Sequence, residues 1–444
     1  MTVAPLDFIH DLSFDDLPAA TVTEAQRCLL DLIGVAAASL STDLSRIIRD
    51  HAAEQFGAGG RAASIIFDGR IVSPAGAALA GGMAIDSIDA HDGHKPTKGH
   101  AGCGTLPSLL AFAEAEAGND GRDIDGREFL TTLVLGYEMS IRAGVALHAT
   151  VPDYHTSGAW VAVGAAAMGA RVMGMDATRT RHALGIAEYH GPRSQMMRCI
   201  DHPTMLKDGS GWGAMAGVSA AYLARDGFTG APAITVENTP EHWATLGEKW
   251  EICNQYFKPS PVCRWAQPAV EATRMLRDRH GLTSDMVDHI IITTFHESAR
   301  LHTRHPADTE QAQYSLPHPV AAAMVRGQVG PQEILPAATI DPEIHRLAAG
   351  MVINESAEYD AAFPAFRYSD VVIVLKSGER VESGRWEARG DPETPLTMDE
   401  IHDKYHAYAD PALGVERAMG IRNAVTALSE GAPLRNLTRW LGKV

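Results

Sequence analysis

Residues 71–85 and 154–170 carry no Asp, Glu, Lys or Arg and consist largely of Ala, Gly and Ser, and 209–225 repeats that texture up to its closing Arg225. Such runs restrict the fold more than anything else in the chain. Small side chains let helix backbones approach closely, so these segments read as helices packed tightly against one another in a core. They also fall short of the ~18–20 apolar residues that a membrane-spanning helix needs.

The flanking sequence extends the helical reading. Thr21-Val22-Thr23-Glu24 has the form of a capping box, followed by apolar residues at Cys28, Leu29, Leu32, Ile33 and Ala36. Ser73-Pro74 reads as an N-cap with proline in the first turn. Further helices are expected over 43–57, 107–117, 127–147 (behind an Asp125-x-x-Glu128 cap), 158–174, Thr178–Gly185 and 209–225, with no clear strand before residue 280. The texture then changes. Val287–Phe295 and Tyr368–Leu375 are β-branched, and Lys376–Glu379 turns the latter into Arg380–Trp386 as a hairpin. Helices over 264–278, 316–327, 340–351 and 397–407 lie around these strands, and 411–442 is helical again.

A chain of 444 residues exceeds what one core supports. The expected architecture is therefore two-domain: a large all-α domain over 1–265, completed by C-terminal helices in 408–444, and a smaller α+β domain over 266–407.

Between two of the expected helices lies a polar interruption, Ile85–Pro107 (IDSIDAHDGHKPTKGHAGCGTLP). It concentrates Asp86, Asp89, Asp92, His91, His94, His100, Lys95 and Lys98, while Gly93, Gly99, Gly102 and Gly104 suggest sharp turns and close approach. A loop dense in titratable groups and fixed between packed helices is a natural place for acid–base chemistry. Lys207, in MLKDGSG before a glycine-rich helix, suits a base or an anion clamp. Lys258, in YFKPSPVCRW, stands on a proline-stiffened stretch that leads to Arg264. Tyr154, Arg193 and Tyr314 are further candidates in loops or at a helix start.

The net charge of −17 argues against nucleic acid and anionic membrane surfaces as partners. Against that field, Lys95, Lys207, Lys258 and Arg264 together with His100 suggest a site for a substrate with several carboxylates. The five cysteines are scattered and form no C-x-x-C pair, which fits a reducing compartment and offers no zinc framework. No metal is expected. The first basic residue is Arg27, so no signal-peptide n-region is visible and a cytoplasmic protein is expected.

Several motifs resemble the MmgE/PrpD family: Leu29-Leu-Asp-x-x-Gly34, the Asp89–His100 loop, His182-Ala-Leu-Gly-Ile-Ala187 and Lys207 before its Gly/Ala helix. Lys258-Pro-x-Pro-x-Cys263-Arg264, Tyr314-Ser-Leu-Pro317 and Pro395-Leu-Thr397 continue the likeness over nearly the whole chain. The family includes 2-methylcitrate dehydratase, cis-aconitate decarboxylase and iminodisuccinate epimerase. The resemblance implies a large all-α domain with a small α+β domain, a homodimer, an active site between the domains and no cofactor. It places the family's active-site aspartate on Asp89, its loop histidine on His100 and its two lysines on Lys207 and Lys258. Cys263 stands where decarboxylases carry histidine, and Asp89-Ala-His91-Asp92-Gly93 replaces the common Asp-x-Asp-Asp-Thr.

These departures point toward the iminodisuccinate epimerase branch. The expected activity is cofactor-independent epimerisation of an iminodisuccinate-like polycarboxylate, by proton removal and return beside a carboxylate. A 2-methylcitrate-type dehydratase is the alternative, and a non-catalytic polycarboxylate binder a third. His100, Lys207, Lys258, Lys95 and Asp89 form the expected catalytic pool, with Arg264, Cys263, His91, His94, Tyr154, Arg193 and Tyr314 around the substrate.

Overall fold

The computed structural model describes residues 4–120 and 123–443. The Ala/Gly runs form the helices Pro74–Asp86, Gly158–Val172 and Ser210–Arg225, which pack on one another as their composition requires. A methyl group added at Gly82 would lie 2.6 Å from the Gly211 Cα, and one at Gly217 would lie 2.3 Å from the Ala162 carbonyl oxygen. These glycines permit contact between backbones, and any side chain there would overpack the core.

Around this centre run the helices Ala19–Ala38, Gly102–Asp120 and Gly126–Thr150. Ser73 and Asp125 cap as expected, accepting from Gly76 N and Arg127 N. Two boundaries differ from the sequence expectation. Ala19–Ala38 begins before the apparent capping box, so Thr21 is a buried helical residue. Gly102–Asp120 starts five residues before Pro107, because Ala101 O accepts from both Gly104 N and Thr105 N. Gly102 and Gly104 are therefore helical contacts rather than turns: a Cβ at Gly104 would lie 2.2 Å from Val161 Cγ1.

The second part is built on a four-stranded sheet in the order Val352–Glu355, Val287–Thr294, Tyr368–Leu375, Arg380–Glu387. The first pair is parallel and the other two are antiparallel, with Ile291 opposite Val372. Val352–Glu355 was not expected. It is a short edge strand without a buried side chain, so it carries no hydrophobic pattern and is defined by its pairing alone. The helices Gln267–His280 and Pro342–Gly350 cover the sheet.

The chain then returns to the helical part. The Met398–Leu413 helix runs unbroken past residue 407 and packs along Ala19–Ala38. Asp31 Oδ1 lies 2.6 Å from Lys404 Nζ, and a Cβ on Gly34 would sit 3.0 Å from the Tyr405 ring. The Leu-Leu-Asp-x-x-Gly motif is thus a docking face for the C-terminal helix. No single helix among the described residues is long and apolar enough to cross a membrane.

Candidate active site

The polar loop is held from three sides. Gly93 and His94 pair as a short antiparallel ladder with Tyr256 and Gln255. Lys404 donates to Ala90 O at 2.7 Å, and Tyr137 donates to the Asp92 carboxyl group. A Cβ on Gly93 would lie 2.4 Å from the Tyr256 hydroxyl, so glycine is what admits this ladder.

Within this frame, three non-glycine residues adopt left-handed backbone: Asp89 (φ 49°), Lys98 (φ 47°) and Lys207 (φ 49°). Each is uncommon for its residue type and costs about 1–3 kcal/mol unless its surroundings enforce it. Asp89 and Lys98 line one small cavity, and Lys207 immediately precedes a third lining residue, Asp208. The sharp turns thus fall at Asp89 and Lys98, and the loop glycines serve close approach: a Cβ at Gly99 would lie 2.6 Å from Ser157 Oγ.

The cavity measures about 40 Å³ and lies between the two parts of the molecule. Asp89, Lys98, His100 and Asp208 form its helical wall, and Tyr256, Lys258, Cys263, Arg264, Tyr314 and Arg367 face them. That volume holds only a few waters, whereas small-molecule sites span roughly 300–1,000 Å³. A substrate must therefore part the two walls. On the outer side of the Met196–Lys207 segment a depression of about 410 Å³ reaches Cys199 and Lys207, and Cys199 borders both spaces.

Lys258 is fully buried, with Nζ 2.7 Å from Asp89 Oδ1 and 3.0 Å from Asp89 O. Burial raises the Asp89 carboxyl, but Lys258, Lys207 and His100 outweigh it and hold the group below its ordinary value. Burial likewise lowers the Lys258 ammonium, and Asp89 and Tyr256 outweigh that and raise it. Both stay charged. Removing one partner would strand the other at a cost of about 3–5 kcal/mol. Lys207 donates to Gln313 Oε1 and lies 4.7 Å from the Tyr314 ring centroid.

His100 and Asp208 hold the opposite protonation states from an ion pair. His100 Nδ1 is 2.5 Å from Asp92 O, and a carbonyl only accepts, so Nδ1 carries the hydrogen. Burial, then Lys258, pushes the imidazole down to about 3, which leaves it neutral with a lone pair on Nε2. Burial, then Asp86, pushes Asp208 up to about 8, so at neutral pH it carries a proton. The Ser157 hydroxyl links the two, accepting from His100 N at 2.8 Å and donating to Asp208. A neutral base and a protonated acid on one cavity can exchange protons with a bound molecule.

The remaining sequence candidates divide. Tyr314 and Cys263 line the cavity, and burial pushes the Cys263 thiol up to about 12. Arg264 also lines it, but its guanidinium is engaged by Gln267, Arg389 O, Ala388 O and Asp391. His91 is buried behind His100, with ring centroids 4.3 Å apart. Tyr154 supports Lys98 from below, the ammonium lying 3.2 Å from its ring centroid. Lys95, His94 and Arg193 lie outside the cavity lining. Lys95 bridges to Asp391 and Glu393, His94 to Glu251, and Arg193 lies 3.8 Å from Glu188.

Sequence reasoning counted Lys98 in the polar loop without choosing it for the site, and passed over Asp208, Tyr256 and Arg367. Asp208 stood inside the MLKDGSG segment already singled out, and Arg367 is a lone cation in the aromatic run Phe363–Tyr368. Both signals were readable.

Asp89, His91 and His100 each offer a ligand atom, all within 4.8 Å of one another. The set does not fit a cation, because the Asp89 carboxylate is already neutralised by Lys258, whose ammonium would repel it.

Comparison with known proteins finds one family over both parts of the chain. The pattern described as MmgE/PrpD N-terminal domain matches residues 6–246, and that of the MmgE/PrpD C-terminal domain matches 260–430. The cis-aconitate decarboxylase-like protein oryM of Aspergillus oryzae is 25% identical over 486 residues, covering 98% of this chain and 96% of the relative. Cis-aconitate decarboxylase of Homo sapiens is 21% identical over 95% of this chain and 90% of its own length. The Mus musculus enzyme is 22% identical over 98% and 91%.

Proposed function

The chain belongs to the MmgE/PrpD family, and we propose that it is a cofactor-independent lyase that eliminates water from a small hydroxy-polycarboxylate. One observation carries this reading: His100, neutral with a free Nε2, and Asp208, protonated, line the same cavity. The named relatives, cis-aconitate decarboxylases and a decarboxylase-like protein, support the lyase class.

The chemistry follows from the charges. A proton on carbon beside a carboxylate is a very weak acid, so the enediolate formed on its removal needs fixed cations. Lys258, which lines the cavity, and Lys207, which reaches the Tyr314 ring on its edge, supply them. His100 Nε2 takes the proton, breaking the C–H bond. Asp208 gives its proton to the β-hydroxyl, which departs as water as the carbon–carbon double bond forms. Return of the His100 proton to Asp208 through solvent resets the site.

Epimerisation is the second reading, favoured by Cys263. Its thiol, pushed up to about 12, is a neutral, weak donor at the position where the resemblance places a histidine in decarboxylases. The same enediolate could then be reprotonated on its opposite face.

A panel of hydroxy- and imino-polycarboxylates incubated in deuterated water separates these outcomes. Elimination produces a conjugated acid absorbing in the near ultraviolet. Epimerisation changes optical rotation and incorporates deuterium at constant composition. If neither these changes nor carbon dioxide release occurs with any compound, the enzymatic reading is overturned.

A further inference from the structure

Two arginines flank the Tyr256 ring, and their situations are opposite. Arg264 lies 5.1 Å from the ring centroid and Arg367 5.6 Å from it. Arg264 is fully employed: its terminal nitrogens reach Gln267 Oε1 at 3.1 Å, Arg389 O at 2.9 Å, Ala388 O at 3.0 Å and Asp391 Oδ1 at 2.9 Å. These contacts pin the 388–391 segment, so Arg264 serves the fold.

Arg367 immediately precedes the Tyr368–Leu375 strand and is 3% exposed. Its Nε and Nη1 are buried without a hydrogen-bond partner, and among the described residues no carboxylate forms an ion pair with it. Guanidinium cannot shed its proton at physiological pH, so such a group stays charged. A desolvated cation lacking a counter-ion is unfavourable, and stacking on Tyr256 does not replace the missing acceptors. The planar fork opens on the cavity that also holds Lys258 and His100.

We propose that Arg367 is the carboxylate clamp of this site, binding a substrate carboxylate remote from the reacting carbon and thereby setting the preference for polycarboxylates over monocarboxylates. The assignment rests on the polycarboxylate reading above. The planar guanidinium matches a carboxylate through two parallel hydrogen bonds, which a lysine cannot reproduce. The clamp also comes from the sheet-bearing part, whereas His100 and Asp208 come from the helical part. A polycarboxylate spanning the two would draw the walls together around the reacting carbon.

The test uses binding, so it does not depend on knowing the reaction. Calorimetry with tricarballylate, succinate and butyrate compares the full-length protein with Arg367→Gln, Arg367→Lys and Arg264→Gln. Tricarballylate affinity falls about 10- to 100-fold in Arg367→Gln, as for loss of a charged hydrogen-bond pair. In Arg367→Lys it falls less, and butyrate affinity changes little in either variant. Thermal melting without ligand gives an independent readout. Arg367→Gln melts at or above the wild-type temperature, because it removes an unpaired buried charge, whereas Arg264→Gln melts lower, because it releases the 388–391 segment that Arg264 pins. Unchanged tricarballylate affinity in Arg367→Gln overturns the clamp, and so does melting as low as Arg264→Gln. Wild-type protein that binds neither tricarballylate nor succinate overturns the polycarboxylate reading and the clamp with it.

Discussion

The two walls of the cavity solve different problems. On the helical side, Asp208 and His100 are displaced from their ordinary protonation states by burial, and Asp89 and Lys98 sit on left-handed backbone. On the facing side stand the cations Lys258, Arg264 and Arg367, and Tyr256, Tyr314 and Trp265 provide flat surfaces. In the proposed reaction the first wall moves protons and the second holds anions. The supporting structure matches this division. Glycine-mediated contact between helix backbones cannot slide without clashing, which suits precisely held acid–base groups. The sheet-bearing part meets the helical part across polar links such as Lys95–Asp391 and Lys258–Asp89.

The sharpest way to break the comparison is His100→Gln. If the helical wall does the chemistry, turnover falls by the ~10²–10⁴-fold of a lost general base, while KM moves much less. Steady-state kinetics that showed a raised KM with normal turnover would transfer His100 to the binding wall.

The pH profile is the next test, and its sign is fixed by the two groups. His100 titrates near 3, so the base is available throughout the neutral range. Asp208 must be protonated to act and titrates near 8, so kcat/KM should hold level through neutrality and decline as pH rises through about 8. Asp208→Asn should lower the plateau and abolish that decline. A descending limb that survives in the asparagine variant assigns the acid to another group.

The smallest expected effect sharpens the reading by leaving it intact. Exhaustive treatment with EDTA should not change turnover, because Lys258 already neutralises the carboxylate of the Asp89, His91 and His100 group. Loss of activity that a divalent ion restores would make the helical wall an electrophile-binding site instead.

Much of this was readable from the chain. The Ala/Gly runs require close-packed helices wherever they occur, because their side chains are too small to pack otherwise. The strands Val287–Thr294 and Tyr368–Leu375 are rich enough in β-branched residues to be found without a partner. Asp89, His100, Lys207 and Lys258 stood out because polar residues interrupt apolar surroundings there. What the chain could not disclose is which charges are satisfied. Lys95 and Lys98 are three residues apart in one loop, yet the left-handed turn at Lys98 brings its side chain to the cavity, while Lys95 finds Asp391 and Glu393. Arg264 and Arg367 are both buried arginines beside one tyrosine, and partners supplied by Gln267 and positions 388–391 distinguish them. Residue type and local pattern determine where a charge can be buried. Its protonation, pairing and freedom to meet a ligand depend on groups far away in sequence, which only the tertiary structure brings within a few ångströms.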